Sequence, residues 1–265
     1  MKYGFIGTGN MASALIKVMA DKVNGEDIFL SNRTLSKAKK LSDEYSCELS
    51  DNRKIAEMCD YIILGVKPQM LKGVIDEIKD ILESRNDYVL VSMAAGYQIK
   101  DYYEMLGFEC SMIRIMPNTP VKVNEGIILY CYENTDEGKV DIFIGTLEKA
   151  GKLFYVDEDH FDAAGTVSGC GPAYVDMMIE ALSDGGVMCG LSRKQAVELA
   201  SQMMMGSAKL VMESGKNPIE LKDEVCSPGG TTIEGVKVLE EKGVGNALME
   251  AIIKAYEKND KLRKK

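Results

Sequence analysis

The strand-like run KYGFI is followed at once by Gly7-Thr8-Gly9-Asn10-Met11-Ala12, and then by a segment, MASALIKVMADK, with the apolar spacing of a helix. Between a strand and a helix, residues this small serve the backbone. Gly7 permits a tight turn, Gly9 lets main chain approach a pyrophosphate, and Ala12 is small enough for close helix–strand packing. A lone GxGxxA is a weak signal, because small residues also fill ordinary turns. Its position at the first strand-to-helix junction of a strand–helix–strand unit makes a dinucleotide-binding loop the better expectation.

The rest of the N-terminal half repeats that alternation. KYGFIG, DIFLSN, YIILGV and YVLVSMAAG are short and rich in branched and aromatic residues, and amphipathic segments such as LSKAKKLSDEY separate them. MIRIMPNTP and GIILYCY extend the scheme, and EGKVDIFIGTLEKAG reads as one more helix before FYVDED. Strands alternating with helices predict a parallel sheet covered on both faces, an α/β fold of Rossmann type.

From about Asp162 strand-like runs vanish. Pro172 fits the first turn of a helix through YVDMMIEALSDGG, where its missing N–H has no intrahelical partner to lose. Ser192 with Gln195 forms a capping-box pattern, Gly215 falls at an expected helix end, and Asn217, Pro218 and Glu220 mark another helix entry. The expected organisation is a dinucleotide-binding domain over residues 1–160 and an all-helical domain over 161–265.

Composition narrows the function. With 265 residues, 46% hydrophobic and 28% charged, the chain suits a soluble globular protein. A net charge of −9 argues against nucleic acid and anionic membranes as partners. No apolar run is long enough to span a bilayer, and MKYGFIGTGN lacks signal-peptide features. The seven cysteines are scattered and never spaced CxxC, so a reducing cytoplasm is expected rather than a disulfide framework. His160 is the single histidine and has no cluster of ligand-type residues, so no metal site is expected. The basic ending KNDKLRKK reads as a helix end that complements the dipole, not as a binding arm.

At the end of the second strand, an NAD site would place an acidic residue on the ribose. This chain has Ser31, Asn32, Arg33 and Thr34, with Lys37 a turn later. Hydroxyls and a guanidinium pair with a ribose phosphate, so NADP is favoured over NAD, although Arg33 and Lys37 also suit plain solvated charges. Gly65-Val66-Lys67-Pro68, Met93-Ala94-Ala95-Gly96 and Met116-Pro117-Asn118-Thr119-Pro120 each follow a strand. As a set on one sheet edge, a bound cofactor explains them better than loop architecture does.

A second small-residue loop, CSPGGTT, leads into the helical pattern IEGVKVLEEK. It can turn several N–H groups and a helix N-terminus toward one point, which suits a phosphate or a carboxylate. Equally, Ser227 and the threonines suit a plain helix-capping role, a common use. The residues alone leave both readings open.

GFIGTGNMA, GVKPQ, SMAAG, RIMPNTP, SGCGPAYV, GLSRKQAVELA and CSPGGTTIEGVKVLE, in this order, resemble pyrroline-5-carboxylate reductase over nearly the whole chain. The resemblance implies reduction of the cyclic imine 1-pyrroline-5-carboxylate to L-proline by NADPH, less often NADH, in a homodimer or larger homo-oligomer. It implies cofactor contacts at Ile6, Gly7, Thr8, Gly9, Asn10 and Met11, at Ser31, Asn32 and Arg33, at Asn52, and at Gly65, Val66, Lys67, Pro68, Ala94 and Ala95. It implies that Ser227, Gly229, Gly230, Thr231 and Thr232 hold the substrate carboxylate, with Thr232 near the imine nitrogen as the catalytic residue, and that Glu158 contacts substrate. One departure is Cys170, where the family usually has serine; its thiol donates hydrogen bonds poorly. The run Met203-Met204-Met205 and the segment SDGGVMCG supply apolar surface suited to a helical dimer interface. Competing readings are a β-hydroxyacid reductase, for which Lys194 or Lys209 would be the catalytic lysine, another NADP-dependent imine reductase, and a catalytically silent NADP-binding protein.

Overall fold

The computed structural model describes residues 1–263; Lys264 and Lys265, the last two of the basic ending, lie outside the described residues. Contacts divide the chain into two compact units, one of residues 1–169 with the chain from Tyr256 onward, the other of residues 170–255.

The first unit alternates strand and helix in the order β1 (Tyr3–Ile6), α1 (Asn10–Met19), β2 (Ile28–Ser31), α2 (Leu35–Tyr45), β3 (Glu48–Leu49), α3 (Asn52–Met58), β4 (Tyr61–Leu64), α4 (Pro68–Glu83), β5 (Val89–Ser92), α5 (Ile99–Leu106) and β6 (Met112–Pro117). It ends with β7 (Gly126–Glu133), α6 (Glu137–Gly145) and β8 (Gly151–Tyr155). The eight strands form one sheet ordered β3-β2-β1-β4-β5-β6-β7-β8. One face packs Phe5, Leu30, Ile63, Val91 and Ile113 against Leu15, Leu41 and Phe143 of α1, α2 and α6. The other packs Ile6, Ile62, Leu64 and Leu90 against Ile55, Ile75, Ile78 and Tyr102 of α3, α4 and α5. Strands buried on both faces read as continuous apolar runs, which is why they were legible.

The parallel scheme expected throughout needs one correction. β7 runs antiparallel to β6, with Met112 opposite Glu133 and Pro117 opposite Ile128. Only the short Asn118–Glu125 link joins the two strands, too little chain for the crossover that parallel pairing demands.

The remaining helices are α7 (Glu158–Met188), α8 (Arg193–Ser214), α9 (Pro218–Glu224), α10 (Thr231–Glu241) and α11 (Val244–Arg263). None of the described helices is long and apolar enough to cross a membrane. The expected local signals are present. Ser192 and Gln195 close a reciprocal capping box on α8, Gly215 takes the left-handed conformation beyond its end, and Asn217 caps α9 with Pro218 in the first turn.

Pro172 is a second correction. It lies inside the 31-residue α7 and does not start a helix. A proline there deprives the carbonyl four residues earlier, that of Ser168, of its N–H donor. The Asn118 side-chain amide donates to that carbonyl at 3.1 Å, while its Oδ1 accepts from Ile127 N at 2.9 Å. One buried side chain thus satisfies two backbone groups 41 residues apart in sequence, and the helix continues through the proline. Asn118→Ala leaves both groups unpaired at about 1–3 kcal/mol each, so a lower melting temperature is expected. Asn118→Asp keeps the acceptor but sets a buried carboxylate oxygen against the Ser168 carbonyl, so a loss at least as large as that of alanine is expected. Equal melting temperatures for wild type and Asn118→Ala would refute the bridge.

Candidate active site

Strand order reverses between β1 and β4, so the connections leaving β1, β2, β4 and β5 diverge at one sheet edge and leave a crevice. The sheet brings Gly7, Ser31, Gly65 and Met93 to that edge, each just after or at the end of its strand. Gly7 N donates to Ser31 O at 2.8 Å and Gly65 N to Ile6 O at 2.9 Å.

The glycine loop is shaped by space. Gly7 has φ +98°, a conformation that residues with a Cβ rarely adopt. A Cβ on Gly65 would come within 2.5 Å of Gly7 O and 2.9 Å of Ala12 Cβ, so Gly7, Ala12 and Gly65 are mutually constrained. Gly9 differs. A Cβ there would touch only Gly65 O, at 3.8 Å, so its outer side is open. Gly9 is the N-cap of α1 and no side chain caps that helix, so the amides of its first turn face the opening with the positive end of the dipole. Thr8 N donates to Asn32 Oδ1 at 3.2 Å, and Thr8 Oγ1 is buried with no hydrogen-bond partner among the described residues. Asn10 and Met11 open the helix beside it.

Around the end of β2, Ser31 Oγ donates to Asn52 Oδ1 at 2.6 Å, and Asn52 Nδ2 donates to Glu77 Oε2 at 2.7 Å. Asn32 Nδ2 is tied to Thr34 O. Ser31, Asn32 and Asn52 are therefore held in place by one another's neighbourhood, whereas Arg33 and Lys37 are exposed and make no ion pair with any described residue. Further along the edge, Val66 and Lys67 lead into α4, which Pro68 starts and no side chain caps. Ala94 is buried and Ala95 exposed after β5. These features fit an elongated anion: an uncapped helix start, an orphaned buried hydroxyl, and free cations at the far end.

Glu158 has an internal role. Its Oε1 accepts from Arg114 Nη1 at 3.1 Å and from Ile99 N at 2.9 Å, and its Oε2 accepts from Cys131 Sγ at 2.8 Å. Burial first, then that carboxylate, push the Cys131 thiol above its ordinary range, so it remains a donor. Arg114 is fully buried, also reaches Asp162 at 2.5 Å, and stacks on Phe161 with its guanidinium carbon 4.3 Å from the ring centroid. Both Arg114 and Asn118 lie within the RIMPNTP motif. The sequence shows that motif as a strand, a loop beside a cofactor and part of the family resemblance, but not these two clamps, because the α7 partners lie 44 to 50 residues away.

In the second unit, the SPGGTT loop is a tight turn closed by Gly230 N donating to Ser227 O at 3.0 Å, with Gly229 at φ +67°. The N-cap of α10 is Gly230, and no side chain caps the helix. Thr231 and Thr232 are its first two residues, and all four hydroxyl-bearing or glycine positions from 229 to 232 sit at its open end. The capping role weighed for Ser227 and the threonines is thus not the one they have. First-turn amides and two hydroxyls remain for an anion.

Residues 158–262 match the family described as pyrroline-5-carboxylate reductase dimerisation, and residues 2–96 match one described as NADP oxidoreductase, coenzyme F420-dependent. The pyrroline-5-carboxylate reductase of Escherichia coli strain K12 is 39% identical over 99% of this chain and 98% of its own length. That of Pisum sativum is 37% identical over 98% and 95%. Among solved structures, the pyrroline carboxylate reductase of Plasmodium falciparum with NADP bound aligns with a TM-score of 0.87 at 33% identity, covering 99% of this chain and 98% of that one. The enzyme of Coxiella burnetii aligns at 0.90 and 30% identity, over 98% of each. Similarity of that degree along the whole length places the chain in the pyrroline-5-carboxylate reductase family.

Proposed function

We propose that the chain reduces the cyclic imine of 1-pyrroline-5-carboxylate to L-proline, with NADPH as reductant. The full-length similarity to enzymes of that name carries this conclusion, and the uncapped SPGGTT helix start supports it. When bound, the nicotinamide supplies a hydride; the chain's own residues bind, orient and exclude water.

The open side of Gly9 and the α1 amides would hold the pyrophosphate, and Thr8 Oγ1 would gain there the partner it lacks among the described residues. Arg33, with Lys37, would pair with the ribose phosphate, which favours NADPH over NADH. The α10 amides and Thr231 would bind the substrate carboxylate, and Thr232 would hydrogen-bond and orient the ring nitrogen. A threonine hydroxyl is a poor acid, so the proton need not come from it. Glu158 anchors α7 through Arg114, and its contribution to substrate binding would then be indirect.

The second unit exposes Met177, Met188, Leu199, Met205, Met212 and Leu239, more apolar surface than a solvated helical layer needs, which supports a homodimer built through it. The described cysteines are all free thiols, in keeping with a reducing cytoplasm.

The test is NADPH oxidation, followed at the nicotinamide absorbance, on addition of pyrroline-5-carboxylate. Thr232→Ala is expected to lower kcat/KM for the imine by about tenfold, the scale of one hydrogen bond, with the NADPH Kd unchanged. Wild-type kinetics in that variant would remove Thr232 from the mechanism while leaving the activity itself standing. No turnover by the wild type would overturn the assignment.

A further inference from the structure

Away from the crevice, the sheet carries a second group of residues for which reduction has no use. Tyr130 and Tyr132 of β7 lie on the face packed by α6, and Tyr155 ends β8, pairing in register with Tyr130. The Tyr155 ring meets Tyr130 edge-on at 5.7 Å between centroids (69° between planes) and is tilted to Tyr132 at 5.8 Å. The three rings therefore form walls at steep angles and not a flat stack. Together with Glu137, Val140 and Asp141 of α6 they line a cavity of about 180 Å³. Neither carboxylate makes an ion pair with any described residue, and none of the three phenols makes a described hydrogen bond. Lys152, the lysine nearest in the strand, stands on the opposite face of β8, over Phe154.

Aromatic faces at an angle around a pocket attract a cation through their quadrupoles, and carboxylates at the rim add charge attraction. The volume corresponds to roughly six waters at ~30 Å³ each, room for a trimethylammonium or guanidinium group and little more. Because β7 runs antiparallel to β6, Tyr132 lies opposite Ile113, near the start of β6. The cage is thus at the sheet edge opposite the cofactor loops. We propose that Tyr130, Tyr132, Tyr155, Glu137 and Asp141 form a binding site for a small organic cation, an alkylammonium or guanidinium compound, separate from the reductase site. Burial and the Glu137 carboxylate, with Asp141 adding, hold the Tyr132 phenol above its ordinary value, as expected where negative charge faces the ring.

The experiment titrates the full chain, tyrosine-labelled for NMR, with tetramethylammonium chloride and separately with agmatine, against sodium chloride at matched ionic strength. Saturable shifts at Tyr130, Tyr132 and Tyr155 are expected with the organic cations and not with sodium. In the Glu137→Gln/Asp141→Asn double variant the Kd is expected to rise about tenfold or more, with reductase turnover unchanged. Tyr155→Leu, which removes one wall and keeps the charges, is expected to weaken binding as well. Unsaturable shifts, or equal affinity in the double variant, would overturn the site. Saturation by a lysine-rich peptide alone, with neither small cation binding, would overturn the small-molecule assignment.

Discussion

Arg114→Met is expected to lower the stability of the protein by about 3–5 kcal/mol, the scale for removing one partner from a buried ion pair. The guanidinium is fully buried between Glu158 and Asp162, whose side chains are 28% and 14% exposed, at the start of α7. Methionine fills similar volume, so the loss comes from the two ion pairs themselves, with Glu158 left in a poorly solvated place. The Nε of Arg114 has no hydrogen-bond partner among the described residues, so the native arrangement already carries a desolvation cost. Neutralising the acids should therefore recover much of the loss. Glu158→Gln and Asp162→Asn added to Arg114→Met keep an acceptor for Ile99 N and neutralise both carboxylates. Thermal midpoints are to be compared at one protein concentration, since an oligomer's midpoint depends on it. A single variant within about 1 kcal/mol of wild type would show that the cluster is solvated and contributes little.

Gly65→Ala is expected to weaken NADPH binding by a factor of about five to 150, corresponding to about 1–3 kcal/mol of overpacking. The added methyl would fall 2.5 Å from Gly7 O and 2.9 Å from Ala12 Cβ. Gly7 O belongs to a loop whose φ +98° leaves little room to adjust, and Ala12 is locked into the β1–α1 packing. The strain must then move the Gly7–Met11 backbone, the part proposed to meet the pyrophosphate. Gly73→Ala is the control. It sits in α4, a Cβ there meets nothing within 4 Å, and alanine is the better helix former. NADPH Kd measured by fluorescence should separate the two variants. An unchanged Kd in Gly65→Ala would mean the loop is not the pyrophosphate site.

The two corrections and the two buried clamps share a cause. Local signals were read well: the capping box at Ser192, the left-handed Gly215 and the Asn217–Pro218 entry all have their partners within three residues. Pro172 was misplaced because by local rules a proline belongs in a first turn. Asn118, 50 residues upstream of Ser168, is what lets the helix pass through it. Arg114 follows apolar residues in β6, and nothing near it in the sequence says that two acids of α7 enclose it. The threonines of SPGGTT were ambiguous between cap and ligand because that choice depends on whether their hydroxyls turn back onto the helix, and they do not.

By itself, the order of residues determined the alternation of strands and helices, the glycine loop after β1 and the helix-rich second half. Each depends on periodicity and on contacts within one turn, where chain connectivity alone brings the partners together. Tertiary structure alone decided that β7 turns back against β6, that Gly65 must be glycine because Gly7 and Ala12 press on it, and that Arg114 and Asn118 hold α7. Those outcomes rest on groups dozens of residues apart, and a charge or an orphaned carbonyl finds such a partner only once the sheet has closed around it.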